Sequence, residues 1–297
     1  MTFASPRQAT TMDAPRMFFA ALLAILLAST PALAQGDPKR GLYVANAAGC
    51  IGCHTAETKD AAPYAGGRAL KTPFGTFYGP NITPHPNAGI GRWSEADLAK
   101  AVRLGERPDG AHYFPAFPYV AFTQMSDADL RDLWSYLRSL PPSAKPNQAH
   151  DLRFPFGWRF LVFGWKWLSF RPGSFVSDGK QPPQVNRGAY LANVLGHCGE
   201  CHTPRNFLGG LNRERLLAGT KAGPEGKPIP NITPTGTKKW NDAEMKEFLS
   251  TGMTPDFDSA NSTMMEVIRN TTSKLTAEDL AAMIAYMRSV PALPEDK

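Results

Sequence analysis

Beyond its first 34 residues, the 297-residue chain has no unbroken apolar run of 18, so that portion holds no segment able to cross a bilayer as a helix. It also has no run of five like charges, and Lys plus Arg exceed Asp plus Glu only by 32 to 26. So weak and dispersed a balance gives no support to nucleic-acid binding. With 42% hydrophobic and 20% charged residues the chain is too apolar to be disordered, and a folded body is expected. Cysteine is scarce, at four. Proline is in excess: 27 residues, about 9% against a usual ~5%, argue for many loops and short elements rather than long sheets or bundles. Such a chain needs something besides side chains to fill its core.

The first 34 residues read as an address. Arg7 and Arg16 precede the apolar stretch Met17 to Ala28, and Pro31-Ala32-Leu33-Ala34 precedes Gln35. A basic start, a short apolar centre and a small-x-small end make a secretory signal cleaved after Ala34, and the expected location is the periplasm. No Arg pair and no Cys beside the cleavage point suggest folded export or lipid attachment. Loss of the leader removes Arg7, Arg16 and Asp13 and leaves a net charge of +5.

Four cysteines in an exported chain ordinarily mean two disulfides. The spacing argues otherwise. Cys50-Ile51-Gly52-Cys53-His54 and Cys198-Gly199-Glu200-Cys201-His202 are both C-x-x-C-H. Two thiols at that separation reach the two vinyl groups of one porphyrin, and the next imidazole is delivered to its iron. A four-cysteine zinc site leaves His54 and His202 without a role, and a thioredoxin-type pair needs a preceding strand that neither site has. The expected cofactors are two covalent haem c groups.

The two motifs sit in an internal duplication. Arg40-Gly41-Leu42-Tyr43-Val44-Ala45-Asn46 recurs as Arg187-Gly188-Ala189-Tyr190-Leu191-Ala192-Asn193. Pro80-Asn81-Ile82-Thr83-Pro84 recurs as Pro230-Asn231-Ile232-Thr233-Pro234, Trp93 as Trp240 and Gly105 as Gly252. Asp129, Tyr136, Arg138 and Pro141 have counterparts at Asp279, Tyr286, Arg288 and Pro291. Two copies of one domain follow, residues 35–146 and 186–297, joined by a connector over 147–185. Ser126 and Thr276 each cap a terminal amphipathic helix with an Asp three positions on, and Ser94 caps a shorter helix ending at Gly105. The expected fold is all-α, with the long loops wrapped around a porphyrin.

These motifs resemble the class I cytochrome c superfamily, and more closely the cytochrome c subunits of bacterial periplasmic alcohol, aldehyde and gluconate dehydrogenases. The resemblance covers nearly all of residues 38 to 294. Those subunits often carry three haems, whereas this chain has motifs for two. The resemblance implies a distal methionine in each copy. The family's M-x-E-V pattern falls on Met264, Glu266 and Val267, which selects Met264 over Met265 as the second distal ligand. In the first copy the family's A-M-P-Y reads Ala116-Phe117-Pro118-Tyr119, and Phe cannot ligate iron. Between Phe18 and Glu244 the sole methionine is Met125, which becomes the expected ligand, with His112 as its substitute. Met253, Met283 and Met287 are expected in the core, and His85, His150 and His197 as solvated or supporting residues. The Pro-Asn-Ile-Thr-Pro loops are expected along the haem, with Asn81 and Asn231 donating to a propionate or orienting the Met sulfur; a turn that merely suits its Pro and Asn is the other reading. Tyr43 and Tyr190 are expected to pack on the terminal helix.

The connector is unusual. Phe154, Phe156, Trp158, Phe160, Phe163, Trp165, Trp167 and Phe170 lie among Arg153, Arg159 and Lys166. Buried, they form a staple between the copies, which is the favoured expectation; exposed, they form a surface for lipid or a partner.

A haem held on both faces passes electrons, and one with an open face binds peroxide or oxygen. The expected function is therefore a periplasmic diheme carrier. It takes electrons from a dehydrogenase and passes them to a terminal oxidase or another cytochrome, with peripheral membrane contact and no catalytic residues. A diheme peroxidase with one open haem is the alternative. A Cys-ligated thiosulfate dehydrogenase is excluded because there is no fifth cysteine.

Overall fold

A computed structural model describes residues 1, 36–223 and 226–295, and the expected leader lies outside the described residues. From Gly36 onward the chain forms one compact unit. Its elements, in order, are α1 (Pro38–Ala47), α2 (Cys50–His54), β1 (Ala69–Thr72), β2 (Gly75–Tyr78), α3 (Glu95–Leu104), α4 (Tyr119–Phe122), α5 (Asp127–Ser139) and β3 (Asp151–Leu152). Then come α6 (Arg159–Ser169), α7 (Pro183–Tyr190), α8 (Gly199–His202), α9 (Pro234–Thr237), α10 (Asp242–Thr251), α11 (Ser262–Asn270) and α12 (Ala277–Ser289).

The caps at Ser94, Ser126 and Thr276 are those read from the sequence, and Asn241 adds one more. Ser94 and Asp97 close a capping box on α3, Asn241 and Glu244 do so on α10, and Gly105 and Gly252 end these helices at φ 61° and 84°. Ser126 and Thr276 accept from the backbone N–H of Asp129 and Asp279 at the starts of α5 and α12. Each copy is built on a crossing of its first and last helices, α1 on α5 and α7 on α12. The crossings are close because a glycine stands at each. A Cβ on Gly41 would strike the Asp132 carbonyl, and one on Gly188 the Ala282 carbonyl.

Cys50 follows Arg40 by ten positions, while Cys198 follows Arg187 by eleven. The second copy absorbs its extra residue by widening the helix: α7 continues as a π-helical turn over Leu191–Leu195. A π turn is a usual way to hold a one-residue insertion in a helix.

The all-α expectation is corrected at one place. β1, β2 and β3 form a small antiparallel sheet in that order, with Thr72 opposite Gly75 and Gly75 opposite Leu152. Pro73 and Phe74 make the two-residue turn between β1 and β2, and Gly75 takes φ 121°. The strands carry Leu, Thr, Phe and Tyr, side chains suited to a half-buried pleated surface.

The main core does not respect the duplication. Val44, Leu98, Phe122, Met125, Leu130 and Leu133 of the first copy share one buried cluster with Leu191, Val194, Leu195 and Met283 of the second. A second cluster holds Met245, Leu249, Ile284 and Met287. Met283 and Met287 are thus core residues as expected, whereas Met253 is exposed.

Candidate functional site

In both copies a proline carbonyl fixes the histidine of the C-x-x-C-H motif. His54 Nδ1 lies 2.7 Å from the Pro80 oxygen, and His202 Nδ1 lies 2.8 Å from that of Pro230. A carbonyl only accepts, so in each case Nδ1 carries the proton and Nε2 keeps its lone pair for a metal. Burial holds both imidazoles below their ordinary pKa and hence neutral, with the proline bond partly offsetting it. The first proline of each Pro-Asn-Ile-Thr-Pro loop therefore has a definite task.

The four cysteines are unpaired. Burial pushes Cys50 and Cys198 up to about 12 and Cys53 to about 11, and Cys201 upward as well. A redox-active pair needs a depressed pKa. Uncharged, half-buried sulfurs next to an oriented imidazole suit thioether attachment to a porphyrin instead.

Met125 is 2% exposed and shares its cluster with Cys50 and Phe117. Its carbonyl accepts from Arg103 Nε and Nη2 at 3.0 and 2.5 Å, which fixes the backbone ahead of α5. His112 is engaged elsewhere: its Nδ1 lies 3.0 Å from Lys166 Nζ and its ring faces Phe163. In the second copy Met265 fills the space that a side chain on Gly252 would take. Met264, beside it on α11, packs against the cluster formed by Met245, Leu249, Leu280, Ile284 and Met287.

Asn81 and Asn231 have protein partners of their own. Asn81 Nδ2 donates to the Ser143 and Lys145 carbonyls, and its Oδ1 accepts from Thr83 N and Oγ1. Asn231 Nδ2 donates to Leu293 O, and its Oδ1 accepts from Thr233 in the same way. Each asparagine clamps its loop to the chain leaving the terminal helix of its own copy. That holds the proline carbonyl one residue earlier in place for the histidine.

The two motifs are brought together. α11 of the second copy packs on α2 of the first, and α4 of the first packs on the π turn before α8. Across these contacts the rings of Phe122 and His197 lie 5.4 Å apart, and Cys53 and Cys201 are close enough to interact electrostatically. Arg68, mostly buried, donates to Glu266 at 2.8 Å, joining the first motif's surroundings to the helix that carries Met264. Its buried Nε has no protein partner. Nothing in the local sequence marks Arg68; Glu266 had a signal, since it lies two residues after Met264. Tyr43 and Tyr190 do pack on terminal helices, but each on that of the other copy.

Two helix-crossed copies, each with a C-x-x-C-H motif whose histidine keeps Nε2 available for a metal, define a protein of the kind that binds haem covalently and passes electrons. The cytochrome c family model matches residues 39–141 and 185–291, and the chain belongs to the cytochrome c family. It is 46% identical over 264 residues to a diheme cytochrome c-type protein of Cereibacter sphaeroides, covering 87% of each. It is also 39% identical to the cytochrome c subunit of an alcohol dehydrogenase (quinone) from Gluconobacter oxydans, over 87% of this chain and 56% of that one. A fructose dehydrogenase cytochrome subunit of Gluconobacter japonicus is 39% identical over 90% of this chain and 55% of its own. The chain thus spans little more than half the length of these dehydrogenase subunits. The cofactor is covalent haem c, for which Cys50, Cys53, Cys198 and Cys201 supply two attachment motifs.

Proposed function

We propose that the protein is a periplasmic diheme electron carrier, taking electrons from a dehydrogenase and delivering them to a terminal oxidase or another cytochrome. Two cytochrome domains, residues 35–146 and 186–297, are joined by the connector 147–185. The observation that carries the reading is the pair of proline-oriented histidines at 2.7 and 2.8 Å, each in a copy that also offers a methionine ahead of its terminal helix or within the preceding one. The relatives described as dehydrogenase cytochrome subunits support a dehydrogenase as donor.

In this reading Cys50 and Cys53 tether the first haem, and Cys198 and Cys201 the second. His54 and Met125 hold one iron; His202 and Met264 hold the other. When bound, each haem would supply an iron that accepts and releases one electron. Pro80 and Pro230 keep the imidazoles in one tautomer, and the apolar cluster around Met125 excludes water. Packing of α11 on α2, and of α4 on the π turn before α8, would shorten the gap an electron crosses between copies. Bound in this way by protein groups, each haem would serve as a carrier, and the protein's contribution would be orientation and electrostatics.

The absorption spectrum of the reduced protein under carbon monoxide tests this. Little change in the Soret band is expected. A large Soret shift, together with turnover of hydrogen peroxide, overturns it in favour of a peroxidase with one open haem.

A further inference from the structure

The connector helix α6 is mounted inside out. Its polar side chains face the protein: Arg159 Nη1 donates to His112 O at 2.7 Å, and its guanidinium lies 4.6 Å over the Phe114 ring. Lys166 Nζ donates to Leu104 O at 2.6 Å. Val162 is buried against Phe77 and Phe114, Phe170 stacks edge-on to Tyr119, and Trp165 Nε1 reaches Leu208 O of the second copy at 2.9 Å. This inner face packs mainly on the first copy, with Trp165 reaching the second, where the sequence favours a buried staple between the copies. The outer face is the correction to that expectation. Phe160, Phe163 and Trp167 are 66, 64 and 77% exposed, flanked by exposed Leu161 and Leu168, at the i, i+3, i+7 spacing of one helix stripe. Phe154, Phe156 and Trp158 before the helix, and Phe207 beside Leu208 at 96%, are exposed as well.

Two observations favour lipid over protein as the occupant of this face. The first is charge: from Leu152 to Ser177 the chain carries Arg153, Arg159, Lys166 and Arg171 and no Asp or Glu, and Thr203 to Asn212 is equally free of acid. Arg153 and Arg171, just outside the two ends of α6, are exposed, so the patch has cationic flanks that match an anionic headgroup layer. The second is the lack of directional groups: along the stripe only the Trp167 indole N–H can form a side-chain hydrogen bond, whereas a specific protein interface carries roughly one per 100–200 Å². Exposed Trp and Phe over a basic fringe is the pattern of a helix lying in the headgroup boundary. No helix among the described residues is long and apolar enough to cross a membrane.

We propose that the outer face of α6, with Phe154 to Trp158 and Phe207, lies in the interface of an anionic phospholipid layer and seats this cytochrome on a membrane surface. The inward hydrogen bonds of Arg159, Lys166 and Trp165 hold the apolar stripe outward, so no rearrangement precedes docking.

The test is co-sedimentation of the haem-loaded full chain with vesicles of phosphatidylglycerol and phosphatidylcholine in equal parts, and with vesicles of phosphatidylcholine alone. The parent should bind the anionic vesicles more strongly than the neutral ones. The double variant Phe163→Ser, Trp167→Ser should bind at least about tenfold more weakly, because two large apolar side chains no longer leave water. Its haem spectrum should match the parent's, since neither side chain is part of the core. Arg153→Glu with Arg171→Glu should remove the preference for phosphatidylglycerol, and Phe257→Ser, exposed elsewhere, should change nothing. Failure of the parent to sediment with either lipid overturns the proposal, as does equal binding by the double variant. So does a parent dimer in sedimentation velocity that the double variant lacks, which would give the face to a second copy.

Discussion

Tyr43 of the first copy donates its hydroxyl to Asp279 of the second at 2.5 Å, and Tyr190 of the second donates to Asp129 of the first at 2.6 Å. Each aspartate also binds the arginine of its own copy, Arg187 for Asp279 and Arg40 for Asp129. Each tyrosine oxygen in turn accepts from the backbone of the other copy's terminal-helix cap, Thr276 N and Ser126 N. The interface is thus reciprocal, the same residues making the same bonds in both directions, as in a two-fold dimer. The duplicated sequence thus makes a two-fold-like contact inside one chain.

The two bonds differ in burial, and that difference is testable. Tyr190 and Asp129 are both buried, whereas Tyr43 is half-exposed. Tyr190→Phe leaves a buried carboxylate and the Ser126 N–H each short of a partner, so a loss of about 1.5–3 kcal/mol is expected. Tyr43→Phe, where water can replace the lost bond, should cost about 1 kcal/mol or less. Thermal unfolding of the haem-loaded variants measures both, and equal effects would contradict the asymmetry.

Acid should loosen this interface first. Burial raises the Asp279 pKa, but hydrogen bonds from Arg187 and Tyr43 outweigh it, and the carboxyl ends below its ordinary 3.8. A folded-state value below the unfolded one means that the stabilisation is complete above the unfolded pKa and disappears as pH falls through the folded value. The unfolding midpoint should therefore drop below about pH 4. Asp279→Asn should be less stable at neutral pH and should show a shallower fall in acid. A variant with the parent's slope would remove Asp279 from the account.

Much of this molecule was legible because its chemistry is local. Two thiols two residues apart and an adjacent imidazole are dictated by one porphyrin, and Ser94, Ser126 and Thr276 mark helix starts by satisfying N–H groups three positions away. The hairpin over 69–78 was missed because its strands are four residues each and sit in what reads as a loop. The π turn had a visible trace, the extra residue between Arg187 and Cys198, but such an insertion suits a loop equally well. The crossed tyrosines left none: a hydroxyl bond across 236 positions, Tyr43 to Asp279, has no local pattern. The protein partners of Asn81 and Asn231 left no trace either, since the Ser143 and Leu293 carbonyls they hold are placed by the tertiary fold.

Carbon monoxide distinguishes the candidate iron ligands. Met125→Leu keeps the apolar volume and removes the sulfur, so one haem in two should bind carbon monoxide. His112→Leu should leave the spectrum unchanged, because that ring is held by Lys166 and Phe163. In the second copy Met264→Leu should open the other site, whereas Met265→Leu should only disturb packing over Gly252. A site opened by His112→Leu or Met265→Leu would reverse the corresponding assignment.

Arg68 and Glu266 should set the first haem's potential from opposite directions. Arg68 lies close enough to Cys53 to act on it electrostatically, and Glu266 acts on the same sulfur from the second copy. An oxidised haem carries one more positive charge than a reduced one, so a nearby cation favours reduction and a nearby anion opposes it. Arg68→Leu removes the cation and leaves Glu266 without its 2.8 Å partner, so the midpoint potential of the first haem should fall. Glu266→Gln removes one of the cation's two carboxylate partners and leaves the other, Glu57, in place, and the potential should rise. Because Glu266 lies two residues from Met264, its replacement should also move the second haem's potential, whereas the direct action of Arg68 falls on the first. Potentiometric titration of both variants decides the matter, and shifts of the same sign would show that packing rather than charge connects the two copies here.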